Sequence, residues 1–251
     1  MPLVGLISPY DNKPYTFSDC LDKVPFSEPF VRAHIDGVYP VIEGEYHVTE
    51  SLDPPAIIKF KRENDYFYTL DQFTDMSLGT AWHERTEKWI PKEERASFRY
   101  DMGICTLVGT PDLVRDGAIT DYKTMKRYSY VRMCESWDNT TYREQLNLYK
   151  ACGFPDTKEL WLEIIVKNPI LGYGRDKYKD NIGPVMRVQV PILDPQKVID
   201  LSRKNIEESM KDNPRPCTLG KDKENWGGIR CKRFCPNRDC WNYGGLEYDP
   251  I

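Results

Sequence analysis

Two carboxylates, a lysine and a pair of polar side chains one helical turn apart are the groups in this chain best suited to chemistry. They lie in Gly109-Thr-Pro-Asp112, in Asp121-Tyr-Lys123 and in Gln145-Leu-Asn-Leu-Tyr149. Two acids converging on one point suit a hard divalent cation with oxygen ligands, Mg2+ or Mn2+. Such an ion binds a phosphate oxygen, polarises phosphorus and lowers the pKa of an attacking water. Phosphodiester hydrolysis is the reaction that follows. Lys123 would stabilise negative charge building on the phosphate or the nucleophile. A cation beside two carboxylates also favours their ionised, metal-binding form.

These groups need elements to bring them together. The run Cys105-Thr-Leu-Val-Gly-Thr-Pro-Asp112-Leu-Val predicts an apolar strand that ends by delivering one acid. After a tight turn at Asp116-Gly117, Ala118–Thr124 predicts a short strand on which Asp121 and Lys123 alternate and so share a face. Tyr142–Ala151 predicts a helix, and the four-residue spacing of Gln145 and Tyr149 puts both on one side of it. Each motif alone has a plainer account, Asp112 as a turn-initiating aspartate and Asp121 with Lys123 as a same-face ion pair on a half-exposed strand. Their joint order and spacing favour the nuclease reading.

On those residues the chain resembles the RecB-like branch of the PD-(D/E)XK nucleases, which pairs Gly-x-x-Asp with Asp/Glu-x-Lys and then Gln-x-x-x-Tyr. That branch also carries a histidine on an upstream helix, matched here in Gly79-Thr-Ala-Trp-His83-Glu. The resemblance covers roughly residues 75 to 170 and implies a restriction-endonuclease-like core. It further implies that Asp112, Asp121, His83 and the main-chain carbonyl of Tyr122 ligate the metal. Gln145 and Tyr149 would help hold the lysine and the DNA backbone.

Eight cysteines in a chain that reads as intracellular argue against structural disulfides. Four of them, Cys217, Cys231, Cys235 and Cys240, cluster near the C-terminus. Four thiolates can close a tetrahedral site for a 4Fe–4S cluster or for structural zinc. The resemblance favours iron, since CRISPR-associated spacer-processing nucleases, AddB nuclease domains and related phage nucleases carry such an appendage. Many of those relatives space the last three ligands as Cys-x2-Cys-x5-Cys and take the first from the N-terminal region. Here the spacing is Cys-x3-Cys-x4-Cys, so Cys20 stays open as the alternative to Cys217, which the shorter loop favours. Cys105, Cys134 and Cys152 read as small buried hydrophobes. His34 and His47 have no motif around them.

The net charge of −4 argues against indiscriminate nucleic-acid coating. Its distribution matters more. Lys123, Lys126, Arg127 and Arg132 follow one another without an acid and alternate with Tyr122, Tyr128 and Tyr130. Cations beside aromatic platforms suit a single strand with exposed bases, and a solvated loop fits the same stretch equally. No apolar run approaches a membrane span, and Met1-Pro-Leu-Val-Gly-Leu-Ile-Ser lacks the basic start of a secretory signal, so a cytoplasmic location is expected.

The remaining periodicity predicts a helix over Leu70–Trp89 and strands over Phe98–Val108, Glu159–Lys167 and Val185–Ile192. A short helix start and a turn follow from His47 to Lys61, and a final amphipathic helix runs over Gln196–Lys211. Residues 1 to 45, dense in proline, predict an extended arm with short helical pieces rather than a packed unit. The expected class is α/β, a mixed central sheet flanked by helices with a C-terminal cysteine-ligated appendage. The expected division is an N-terminal arm and helical region over 1–74, a nuclease core over 75–193, and a C-terminal helix with the cysteine region over 194–251. Function is expected to be a metal-dependent deoxyribonuclease, an exonuclease on single-stranded or frayed DNA ends in recombination, repair or spacer acquisition. Recombination or CRISPR-adaptation proteins would be its partners. The alternative is a nuclease-fold module that holds nucleic acid or a partner with weak or no cleavage.

Overall fold

Period-two burial is clearest in Glu159–Lys167, where Leu160, Leu162, Ile164 and Val166 are all at most 2% exposed while the residues between them are not buried. Such alternation fixes a strand and its register, because a one-residue slip would turn the whole apolar set outward. The computed structural model describes residues 3–7, 13–19, 41–91, 96–167, 182–217, 230–231 and 235–237. In chain order the elements are β1 (Leu3–Ile7), β2 (Pro14–Thr16), β3 (Glu45–His47), α1 (Val48–Ser51), α2 (Pro55–Glu63), β4 (Tyr66–Thr69) and α3 (Leu70–Glu87). There follow β5 (Phe98–Asp101), β6 (Thr106–Gly109), β7 (Leu113–Arg115), β8 (Ala118–Lys126), α4 (Arg127–Glu135), α5 (Tyr142–Cys152), β9 (Glu159–Lys167), β10 (Val185–Gln189) and α6 (Pro195–Ser209). The class is mixed α/β.

Two compact units divide the chain, and each is discontinuous in sequence. One comprises Tyr46–Leu52 and Ala81–Ser202; the other comprises Met1–Glu45, Asp53–Thr80 and Arg203–Ile251. In the first, a four-stranded sheet runs in the order β10-β9-β8-β7. Strand β8 pairs parallel with β9 and antiparallel with β7, and β10 is antiparallel to β9. The parallel pair requires a crossover, supplied by α4 and α5. The β7–β8 hairpin closes on two residues, Asp116 and Gly117, between the paired Arg115 and Ala118. Both have positive φ, 51° and 74°, as a reversal matched to strand twist demands, and the glycine takes that conformation without a Cβ penalty.

The stretch Phe98–Val108, expected as one strand, is a hairpin of β5 and β6 within a separate three-stranded sheet ordered β3-β6-β5. The break comes at Gly103, φ 80°, whose N–H donates to Asp101 Oδ1 at 2.7 Å. A side-chain acceptor two residues back stabilises the turn locally, and apolar content alone does not reveal it. Helix α5 is buried from Glu144 to Tyr149. Asn147 ties it to the chain after β10, donating to the Pro191 carbonyl at 2.9 Å and accepting from the Leu193 N–H at 2.7 Å.

In the other unit the described residues 3–7 and 14–16, expected in an extended arm, are paired in a sheet. β1 pairs antiparallel with β2 and parallel with β4, and Leu6 is buried in that sheet. The stretch from His47 to Lys61, read as a helix start and a turn, contains α1 and most of α2, whose entry is set by Pro54 and by Pro55 in the first helical turn. Among the described residues no helix is long and apolar enough to cross a membrane.

Candidate active site

Strand β8 presents Asp121 and Lys123 on the same face of the sheet as the apolar row of β9, beside Leu162 and Ile164. Asp121 is therefore 2% exposed. Its carboxylate meets Lys123 Nζ at 2.6 Å through Oδ2 and Gln145 Nε2 at 3.2 Å through Oδ1. The same Gln145 amide donates to the Tyr149 hydroxyl at 2.9 Å. Lys123 thus covers buried Oδ2, the oxygen that Gln145 leaves.

Asp112 arrives from the other side, just ahead of β7. Its Oδ2 accepts the Tyr122 N–H at 2.7 Å, and its Oδ1 lies 2.8 Å from His83 Nδ1 on α3. Opposite a carboxylate, that nitrogen carries the proton. Asp112, Asp121, Lys123, Gln145, Tyr149, His83 and Tyr122, all expected from the sequence, thus meet in one constellation.

Electrostatics follow from that placement. Burial pushes the Asp121 carboxyl up to about 6, the negative Asp112 adds to the rise, and Lys123 opposes it. Burial would lower the Lys123 ammonium, but the Asp121 charge overrides it and holds the amine protonated well above its ordinary range. The hydrogen bond to Asp112 raises His83 above the usual imidazole value against the effect of burial. Burial raises the Tyr149 phenol.

The motif glycine has a packing reason. A Cβ on Gly109 would come within 2.6 Å of the Phe98 ring, and one on Gly153 within 2.4 Å. Phe98 is thereby seated edge-on to Tyr149, ring centroids 6.2 Å apart, and backs the residue that receives the Gln145 amide. Sequence reading also passed over Tyr142. It lies three and seven residues before Gln145 and Tyr149 on the same face of α5, and its ring sits 5.2 Å from Lys123 Nζ. The signal was that spacing.

Among the described residues no group of three or more His, Cys, Asp or Glu side chains stands arranged to hold a metal ion. Here His83 and Asp112 engage each other, and Lys123 lies against the Asp121 oxygen. The donor chemistry nonetheless suits Mg2+ or Mn2+, with two carboxylates as hard oxygen donors. The inner one is disfavoured as an anion by burial and by its neighbour, a penalty that a cation removes.

The stretch after β8 is helix α4 rather than a loop. Tyr130 is 7% exposed and packs inward with Val131 and Met133, so it offers no ring to a ligand, in contrast to the platform expected of it. Tyr128 is 59% exposed, and Arg132 donates to its hydroxyl at 3.4 Å with the guanidinium 5.9 Å from the ring. Lys126 is exposed at the end of β8, and Arg127 is half-buried.

Cys217, Cys231 and Cys235 are buried; Cys20 and Cys240 lie outside the described residues. Cys217 and Cys235 share an apolar cluster with Ile57 of α2. Nearby, Asp53 is gripped by Lys61 at 3.0 Å and by the Arg230 guanidinium. Burial opposes it, yet these two cations hold the Asp53 carboxyl below its ordinary range. Cys105 is buried and Cys152 half-buried, its thiol pushed up to about 12 by burial. Cys134, expected inside, is exposed in the last turn of α4, beyond the turn that packs.

No family model matches the chain, and no curated protein does. Among solved structures, one titled "Crystal structure of SSO0001" is similar to 74% of this chain and spans 84% of its own, at 14% identity and a TM-score of 0.47, a likeness that assigns neither a family nor an activity.

Proposed function

We propose that this protein is a Mg2+- or Mn2+-dependent deoxyribonuclease with a PD-(D/E)XK core of the RecB-like kind. One observation carries the reading. Residues from β8 and α5, distant in sequence, close on Asp121, with Lys123 on one carboxylate oxygen and Gln145 on the other, while Asp112 stands near enough to raise its pKa. A surface ion pair would need neither the buried amide nor the second acid.

Asp112 and Asp121 would hold the metal, with His83 and the Tyr122 carbonyl beside them. When bound, the cation supplies a Lewis acid that polarises the scissile phosphate and acidifies water. The remaining work belongs to the chain. Gln145 fixes Asp121 through Oδ1 and leaves Oδ2 for a cation, and the Tyr149 hydroxyl fixes the amide in turn. Lys123, kept protonated, places its charge where the phosphate oxygens gain theirs. His83 orients Asp112.

Exposed Tyr128 with Arg132 beside it, and Lys126 ahead of it, favours single-stranded or frayed DNA ends as substrate, through stacking and backbone neutralisation. Recombination, repair or spacer acquisition in the cytoplasm is the setting this substrate fits. The C-terminal cysteines would carry a 4Fe–4S cluster of structural role, with zinc as the other metal four thiolates accept. The test is cleavage of end-labelled single-stranded and blunt duplex DNA with Mg2+, Mn2+ or chelator. Metal-dependent cleavage faster on the single strand is expected. Cleavage confined to closed circles would point to an endonuclease, and tight DNA binding with no cleavage would point to a binding module.

A further inference from the structure

Helix α5 turns three residues toward β8, of which two are accounted for by hydrogen bonds, Gln145 to Asp121 and Tyr149 to Gln145. The third, Tyr142, presents its ring to the Lys123 ammonium, 5.2 Å from centroid to Nζ. We propose that Tyr142 is a positioning residue that holds Lys123 at the reaction centre through its ring face when Asp121 turns to a cation. The proposal rests on the reading of Lys123 as the charge-stabilising group of a metal-dependent nuclease.

The reason lies in a conflict built into the site. Lys123 is seated against Asp121 Oδ2 at 2.6 Å, the oxygen that a metal would also claim. A metal on that oxygen would compete with the ammonium for it and repel it as a like charge, so metal binding would loosen the hold of Asp121 on Lys123. A lysine on a flexible four-carbon stem would then swing to water, and its charge would be lost to the phosphate. The negative face of an aromatic ring retains a cation without donating or accepting a proton and without competing for the metal. Tyr142 brings its ring face to Nζ, and it shares a helical face with the residues that fix Asp121. The side chain of Lys123 is 17% exposed, so the ring acts on a largely desolvated charge, where such attraction is strongest.

Three variants test this. Tyr142→Leu is expected to lower kcat about tenfold with KM little changed, the loss of one desolvated cation–π contact felt at the chemical step. Tyr142→Phe is expected to restore kcat to within about twofold of the parent, because the ring and not the hydroxyl does the holding. Trifluorophenylalanine at position 142 keeps the shape but removes the negative ring face, and is expected to reproduce the loss; it decides the matter should Tyr142→Leu fail to fold. A second readout is independent of cleavage. Acylation of Lys123 in metal-loaded protein, followed by mass spectrometry of its peptide, is expected to run about fivefold faster in Tyr142→Leu than in the parent or in Tyr142→Phe. Unchanged acylation and kcat in Tyr142→Leu, or a Tyr142→Phe protein that behaves like Tyr142→Leu, overturns the proposal. A parent protein that cleaves no nucleic acid defeats the nuclease reading instead, while the acylation comparison still decides the role of the ring.

Discussion

His83 and Asp112 form a pair whose state can be read by titration. The hydrogen bond raises the imidazole pKa, so the stabilisation it gives is fully present below pH 6.5 and is lost as the pH rises through the folded-state value. The chain has three histidines, so their ring resonances can be assigned individually. In the metal-free protein the His83 resonance is expected to titrate above 6.5, and Asp112→Asn is expected to bring it back down. A titration unmoved by that substitution removes His83 from the site. Asp121 sets a second limit. Cleavage needs its carboxylate ionised, so with metal below saturation the rate is expected to fall as the pH drops below about 6. At this scale the sequence was informative: the acids, the lysine, the glutamine, both tyrosines and the histidine were all legible from motif spacing. Tyr142 was not, because no motif reaches it although it keeps the helical spacing of Gln145 and Tyr149, and Tyr130 was misread because burial is decided by what its helix packs against.

Between residue and fold, single elements join segments far apart in the chain. Asp53, Ile57 and Lys61 recur every four residues along one side of α2 and its entry, and through Asp53 this side meets Arg230. The side chains of Asp53, Lys61 and Arg230 are 12–24% exposed, so the pair is largely desolvated and its breakage leaves a poorly solvated charge. Asp53→Ala is expected to destabilise the protein by about 3 kcal/mol, the low end for breaking a buried pair, as read by urea denaturation. Because the Asp53 pKa is lowered, this contribution is present above the ordinary carboxylate range and is lost as the pH falls through the folded-state value. A change within about 0.5 kcal/mol at neutral pH would make the pair a surface feature. No reading of the sequence pairs residues 53 and 230. Strand β1 was missed for the same reason, since its parallel partner β4 lies far along the chain, Leu6 beside Tyr68, and prolines surround it. Strand β9 and helix α5 were legible because their periodicity is local and strong, and the Asp116-Gly117 reversal because it requires positive φ at both residues.

Across the whole molecule, α/β class was within reach of the sequence, whereas the division of the described strands into three small sheets was not, since pairing partners are set by tertiary contacts. The cysteine region is tested by its metal. Anaerobically purified protein is expected to be brown and to contain about four irons per chain, with Cys217→Ala losing both iron and thermal stability before the DNA-cleaving site is affected. One stoichiometric zinc in a colourless protein would replace the cluster, and iron retained in Cys217→Ala but lost in Cys20→Ala would move the fourth ligand to the N-terminal region.

Asp121, held by Lys123 and Gln145 and neighboured by Asp112, is proposed as the heart of a metal-dependent nuclease. The deciding measurement is the single-turnover rate of Asp121→Ala on end-labelled single-stranded DNA with saturating Mn2+, beside the parent and after a melting curve shows that the variant is folded. The expected result is a loss of roughly 100-fold or more, the scale of removing a group that acts on the transition state. A folded Asp121→Ala protein that cleaves at the parental rate would show that Asp121 holds no catalytic metal.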